Sequence, residues 1–145
     1  MIKTVFLQKY KNFKVVFIDD SRDSELIQKQ KQYMAEHSNG INVTEIYNDK
    51  RLFALKNRYI SVADHCNDGD IVVDLDSDDS LIGVYVFQLI NTMYQRYPNK
   101  WAVYFNCIAQ MDKYSIGIAK SSTGDIPDKI FEANSYRTSG LWKTT

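Results

Sequence analysis

Cysteine is scarce: Cys66 and Cys107 are the only two in 145 residues, and their separation matches no metal-ligand or redox spacing. Both read as small core side chains, because free cysteine is usually buried, and no pattern supports a disulfide. Histidine is as sparse. His37 and His65 stand apart on predicted helices, so no Ser-His-Asp arrangement follows from their spacing. The chain has no GxGxxG, GKS or GKT loop to cradle a phosphate. It has no secretory apolar region and no apolar run approaching the ~18 residues of a membrane span. These absences predict a cytoplasmic protein, or one at the cytoplasmic face of a membrane. Neither sign of charge predominates: 18 basic and 18 acidic residues give a formal net charge of zero, which argues against nucleic-acid binding.

The balance is local, however. Lys3, Lys9, Lys11 and Lys14 make the start basic, and six aspartates lie between Asp68 and Asp79. At 44% hydrophobic and 25% charged, the composition is that of a globular protein, and 145 residues suit one domain rather than two. Ten tyrosines and seven phenylalanines can serve a core, a ligand shelf or a partner surface, and composition alone does not choose.

Residues 1–10 read as a short helix with Ile2, Val5 and Phe6 on one face. Phe13–Ile18 is a nearly continuous apolar run, as expected of a strand covered on both faces. A helix follows from about Asp23 to His37, with Asp23 or Ser24 as cap and Asn39-Gly40 as stop. A strand over Ile41–Ile46 leads to a helix over Leu52–Cys66, whose predicted apolar stripe is Leu52, Leu55, Tyr59, Val62 and Cys66. After the turn at Asn67-Asp68-Gly69 come a strand over Ile71–Leu75 and a helix over Gly83–Arg96, ended by Pro98. Trp101–Phe105 and Tyr114–Ala119 are further strand candidates, and the signal weakens from Ser121 to Thr145. The alternation predicts an α/β fold with a mostly parallel central sheet and flanking helices. Such folds bind ligands beyond the carboxyl ends of their strands. Asp19-Asp20 and the carboxylates Asp74, Asp76, Asp78 and Asp79 occupy that position.

Two readings of the acidic stretch remain open. In the first, Asp76 and Asp78, separated by Ser77, share a Mg²⁺ or Mn²⁺ ion with a phosphate-bearing ligand. In the second, Asp78, Asp79 and Ser80 cap a helix beginning near Leu81 or Ile82. A calcium loop of the EF-hand type fails, because counting from Asp74 puts Asp79 where glycine is needed and Tyr85 where an acid is needed. A phosphatase with an aspartyl nucleophile has no other local support.

Four stretches in order, QKYKNFKVVFIDDS (Gln8–Ser21), RLFALKN (Arg51–Asn57), GDIVVDLDSDD (Gly69–Asp79) and YQRYPNKWAVYFN (Tyr94–Asn106), span most of the chain. Together they resemble the nucleotide-sugar-binding domain of family-2-like GT-A-fold glycosyltransferases. The resemblance implies that Asp20 contacts the nucleobase with Asp19 supporting that edge, and that Arg51 and Asn57 lie near the nucleotide or orient its loop. It implies that Asp76 and Asp78 hold Mn²⁺ or Mg²⁺ and the sugar diphosphate, and that Asp79 orients the metal loop or contacts the sugar. The donor would be a nucleotide sugar, such as a UDP-sugar, and the acceptor a hydroxyl group. The plain alternatives are a turn cap for Asp19, a surface charge for Arg51 and a helix-surface position for Asn57.

The likeness is partial. The first buried strand usual in that family, and the later acceptor region with its acidic general base, are not recognisable, so residues 1–145 read as an incomplete GT-A-like domain. Asp112, Asp125, Asp128 and Glu132 are available acids without a local pattern for the base, and the catalytic residue is unassigned. The competing expectation is a non-catalytic remnant or partner-dependent binding and assembly module, which would self-associate or bind a complementing chain through the surface left by the missing strand.

Overall fold

The short apolar start folds as the sequence suggests: helix α1 (Ile2–Phe6) buries Val5 and Phe6. The computed structural model describes residues 2–98 with their side chains and 102–103, 107–110, 116–119 and 141–143 by backbone. Strand β1 (Lys14–Asp19) ends on buried Asp19. Helix α2 (Ser24–His37) then begins where Asp23 accepts hydrogen bonds from the Glu25 and Leu26 amides, both 3.0 Å long. That is the cap expected of an aspartate just before an apolar period. The helix stops at Ser38. Asn39 and Gly40 follow at φ 51° and 78°, left-handed conformations that these two residue types tolerate best.

Strand β2 (Asn42–Tyr47) pairs in parallel with β1, from Lys14 opposite Asn42 to Asp19 opposite Tyr47. The Asn48 amide extends the ladder by donating to the Asp19 carbonyl at 3.1 Å. Helix α3 (Phe53–His65) follows and touches β1. Strand β3 (Ile71–Val73) leads through a long acidic connection to helix α4 (Val86–Arg96). Ile90 and Tyr94 of α4 form a buried cluster, with Ile71, Val73, Val86 and Phe87 packed against it. Phe13 meets Phe87 edge to face at 4.8 Å, tying the approach to β1 to the same cluster.

The fold is thus mixed α/β, with a parallel two-stranded sheet and flanking helices. Among the described residues, β1 and β2 form the parallel pair, and the other pairings are antiparallel. Strand β3 pairs with β7 (Leu141–Lys143), which also pairs with β4 (Ala102–Val103). Strands β5 (Cys107–Gln110) and β6 (Ile116–Ala119) form a separate antiparallel pair. The mostly parallel central sheet expected from alternation is therefore not what the described pairings form. Any strand can donate to a free ladder edge, and the edge of β3 is taken by residues 141–143, in the stretch where the strand signal weakens.

Two further expectations change. The acidic carboxylates do not cap α4, which begins at Val86 with no side-chain cap, three residues beyond the predicted start at Gly83. The predicted apolar stripe of α3 is covered only in part: Leu52, Val62 and Cys66 are half-buried, but Leu55 is 82% exposed and Tyr59 71% exposed. The covered side of that helix mixes apolar Ile60 and Val62 with Asn57 and Arg58, which carry polar and charged partners. No helix among the described residues is long and apolar enough to cross a membrane.

Candidate functional site at two acidic strand ends

The carboxyl ends of β1 and β3 each carry aspartates, and α3 connects them. At the end of β1, Asp19 accepts from the Ser21 amide and from Gln30 Nε2, both at 2.6 Å. Burial works to raise its pKa. The hydrogen bonds from Ser21 and Gln30 outweigh burial and hold the carboxyl below its ordinary value. Asp19 therefore closes the turn after β1 and fastens it to α2.

Asp20 points the other way. It accepts from Asn48 Nδ2 at 2.9 Å, from the Leu52 amide at 2.9 and 3.0 Å, and from the Phe53 amide at 2.8 Å. Leu52, at the cap position of α3, has no side chain able to satisfy the first free amides, and Asp20 does so from 32 residues away. The Leu52 amide, followed by Asn48, Phe53 and Asn57, draws the Asp20 pKa down against some desolvation. Phe53 itself sits at φ 62°, a left-handed conformation uncommon for an aromatic residue, so the start of α3 is held in shape from outside.

Asn57 joins this network, accepting from Asn48 Nδ2 at 2.9 Å. It is half-buried, unlike a plain helix-surface residue. Arg51 is exposed, and its guanidinium lies 5.0 Å from the Phe53 ring centroid.

Arg58, the next residue along α3, reaches the other strand end. Its Nε lies 2.6 Å from Asp74 Oδ2 and its Nη2 lies 2.9 Å from Asp76 Oδ1. The two contacts differ in environment: the Asp74 side chain is 21% exposed and that of Asp76 is 60% exposed. Burial pushes the Asp74 carboxyl up, Arg58 pulls it back, and the neighbouring Asp76 and Asp79 add to the rise. The Asp79 amide donates to the Asp76 carbonyl at 3.0 Å, which turns the chain so that successive carboxylates cluster. Among the described residues, no hydrogen bond or ion pair engages the Asp78 or Asp79 carboxylates.

The far side of this loop is fixed by Gln8, which is wholly buried. Its Nε2 donates to the Thr4 carbonyl at 3.0 Å and to the Gly83 carbonyl at 2.8 Å, and its Oε1 accepts from the Phe87 amide at 3.2 Å. Thr4 Oγ1 accepts from the Leu81 amide at 3.1 Å, and the Lys9 amide donates to the Val84 carbonyl at 2.8 Å. Residues 4–9 thus hold the stretch from the acidic loop to α4 through backbone groups that would otherwise lack partners.

The structure brings Asp19, Asp20 and Asn57 into one connected region and Asp76, Asp78 and Asp79 into another, with α3 between them. Arg51 lies at the rim beside Phe53. Asp112, Asp125, Asp128 and Glu132 lie outside the described residues. Arg58, Asn48 and Gln8 carry much of the architecture, and pattern reading did not single them out as site residues. The available signal for Arg58 was electrostatic: a dense group of carboxylates at a strand end needs a nearby cation, and the helix before it supplies one. Comparison with protein-family models, with curated proteins and with solved structures finds no match to this chain.

Proposed function

We propose that this protein binds a nucleotide sugar through a divalent metal ion, as a glycosyltransferase-like protein that transfers the sugar to an acceptor hydroxyl when its acceptor side is complete. The observation that carries this reading is the pairing of adjacent residues on α3. Asn57 belongs to the hydrogen-bonded network of Asp20, and Arg58 holds Asp74 and Asp76. One turn of helix therefore links two acidic strand ends, the arrangement a ligand with a base at one end and a diphosphate at the other would span.

The donor set suits a hard cation. Asp76 and Asp78 offer carboxylate oxygens, which Mg²⁺ and Mn²⁺ prefer. Among the described residues no three His, Cys, Asp or Glu side chains are grouped to hold a metal. An ion at Asp76 and Asp78 would therefore complete its shell with diphosphate oxygens and water, as Mg²⁺ commonly does. The Arg58 guanidinium already sits against Asp76, so a metal ion there has to displace that contact. When bound, the metal would neutralise negative charge growing on the departing nucleoside diphosphate. Asp20 and Asn57 would set the nucleoside end, and Asp79 would orient the loop or meet the sugar.

Isothermal titration with a panel of nucleotide sugars, with and without Mn²⁺, tests the reading. Binding should require the metal and weaken at least about tenfold in Asp76→Asn and Asp78→Asn, the loss of one charge-assisted contact. Binding that ignores both metal and substitutions would remove the metal from the proposal.

A second reading, a partner-dependent binding or assembly module, draws on the apolar surface of α3. Phe53 is 64% exposed, and with Leu52, Leu55, Lys56 and Tyr59 it lines a shallow hollow of about 640 Å³. Sedimentation at micromolar concentration separates the two: a stable monomer that binds donor favours the first, and self-association without donor binding favours the second.

A further inference from the structure

The two contacts of Arg58 are unequal, and the inequality suggests a role. Its Nε contact with Asp74 is short, and that carboxylate is largely buried, so separating the pair would strand a charge. Its Nη2 contact with Asp76 is longer, to a carboxylate mostly in solvent, where an ion pair contributes little and can be exchanged. Arginine suits such a task, because its planar fork can keep one partner on Nε while its terminal nitrogens change partners.

We propose that Arg58 is a resident counter-cation that occupies Asp76 until a metal-bound diphosphate arrives, then stays anchored on Asp74 and turns its terminal nitrogens to the diphosphate. The inference rests on the metal-diphosphate reading of Asp76 and Asp78. It adds to that reading a positioning residue and a built-in competition. Without ligand, Arg58 offsets the repulsion among Asp74, Asp76 and Asp79. With ligand, the ion takes over Asp76 and the freed N–H groups face phosphate oxygens, for which a guanidinium fork is well matched.

The competition makes opposite predictions for two affinities. Arg58→Ala should bind Mn²⁺ alone about two- to fivefold more tightly, since an exposed ion pair no longer competes for Asp76. The same variant should bind UDP in saturating Mn²⁺ about tenfold or more weakly, since a charge-assisted contact is lost. Arg58→Lys should fall between wild type and alanine for UDP, because an ammonium keeps the charge but lacks the planar fork. The double variant Arg58→Ala/Asp74→Asn removes the stranded carboxylate and carries the same test should the single variant fail to fold, with circular dichroism as the check. A purely structural strut would move both affinities in the same direction or neither. Mn²⁺ and UDP binding by wild type with Arg58 variants within twofold of it for both ligands would overturn the role of Arg58 and leave the metal-diphosphate reading standing. Failure of wild type to bind Mn²⁺ or UDP would overturn both.

Discussion

Gln8 Nε2 donates to the Gly83 carbonyl at 2.8 Å, joining positions 75 residues apart. The Gln8 side chain is fully buried and also meets the Thr4 carbonyl and the Phe87 amide. Replacing it with alanine removes the side-chain partner of the Gly83 carbonyl and the Phe87 amide and empties a fully buried position. Gln8→Ala should cost about 2–4 kcal/mol of stability, since it removes several hydrogen bonds and leaves a cavity where a buried side chain stood. Urea denaturation measures this directly, and a change below about 0.5 kcal/mol would contradict the role assigned to Gln8.

Acid should loosen the start of α3. The folded-state pKa of Asp20 lies below its ordinary 3.8, because the Leu52 amide and its neighbours bind the ionised form. Its contribution to stability is therefore present above pH 3.8 and is lost as pH falls through the lower folded-state value. Asp19 shifts in the same direction and acts with the same sign. Asp20→Asn should flatten part of the acid limb of the stability curve. Hydrogen exchange at the Leu52 and Phe53 amides should quicken in that variant more than elsewhere in α3.

Gly83 has φ 92°, and a Cβ built there meets nothing within 4 Å. Space is not the constraint; backbone conformation is. Gly83→Ala should destabilise by about 1–2 kcal/mol, the cost of forcing an L-residue into a left-handed conformation. A thermal melt checks it. An unchanged melting temperature would mean that the loop adopts another conformation at no cost.

The outward apolar face of α3 makes a contrasting prediction. Leu55 and Tyr59 are 82% and 71% exposed, so exchanging either for lysine should change folding stability by no more than about 0.5 kcal/mol. Solubility should rise, or self-association fall, if this face makes contacts between molecules. A loss of 2 kcal/mol or more on Leu55→Lys would show that the face is covered in solution.

Much of the chain's order was legible from residue pattern. Strand β1, the Asp23 cap of α2, the Asn39-Gly40 stop, strand β2 and the turn before β3 follow from apolar runs and turn chemistry. The same local signals placed aspartates at the ends of β1 and β3. They failed in part for α3, where apolar spacing suggested one buried stripe but Leu55 and Tyr59 lie exposed while Asn57 and Arg58 are half-buried. Periodicity reports which side chains share a face, but not which face wins. Here Asn57 meets Asn48 of the Asp20 network, and Arg58 meets Asp74 and Asp76.

Where the carboxylates lie along the chain, and that they follow strands, was legible from residue order, because both facts depend on neighbours in sequence. What each carboxylate does is set only once the chain has folded. Asp19 fastens α2, Asp20 caps α3, and Asp74 anchors Arg58, while Asp78 keeps an unengaged carboxylate among the described residues. These roles are set by partners 11, 32 and 16 positions away, respectively, in the numbering of the chain. Hydrogen bonds and ion pairs act over a few ångströms, so they are resolved by how the chain returns to itself and not by local spacing.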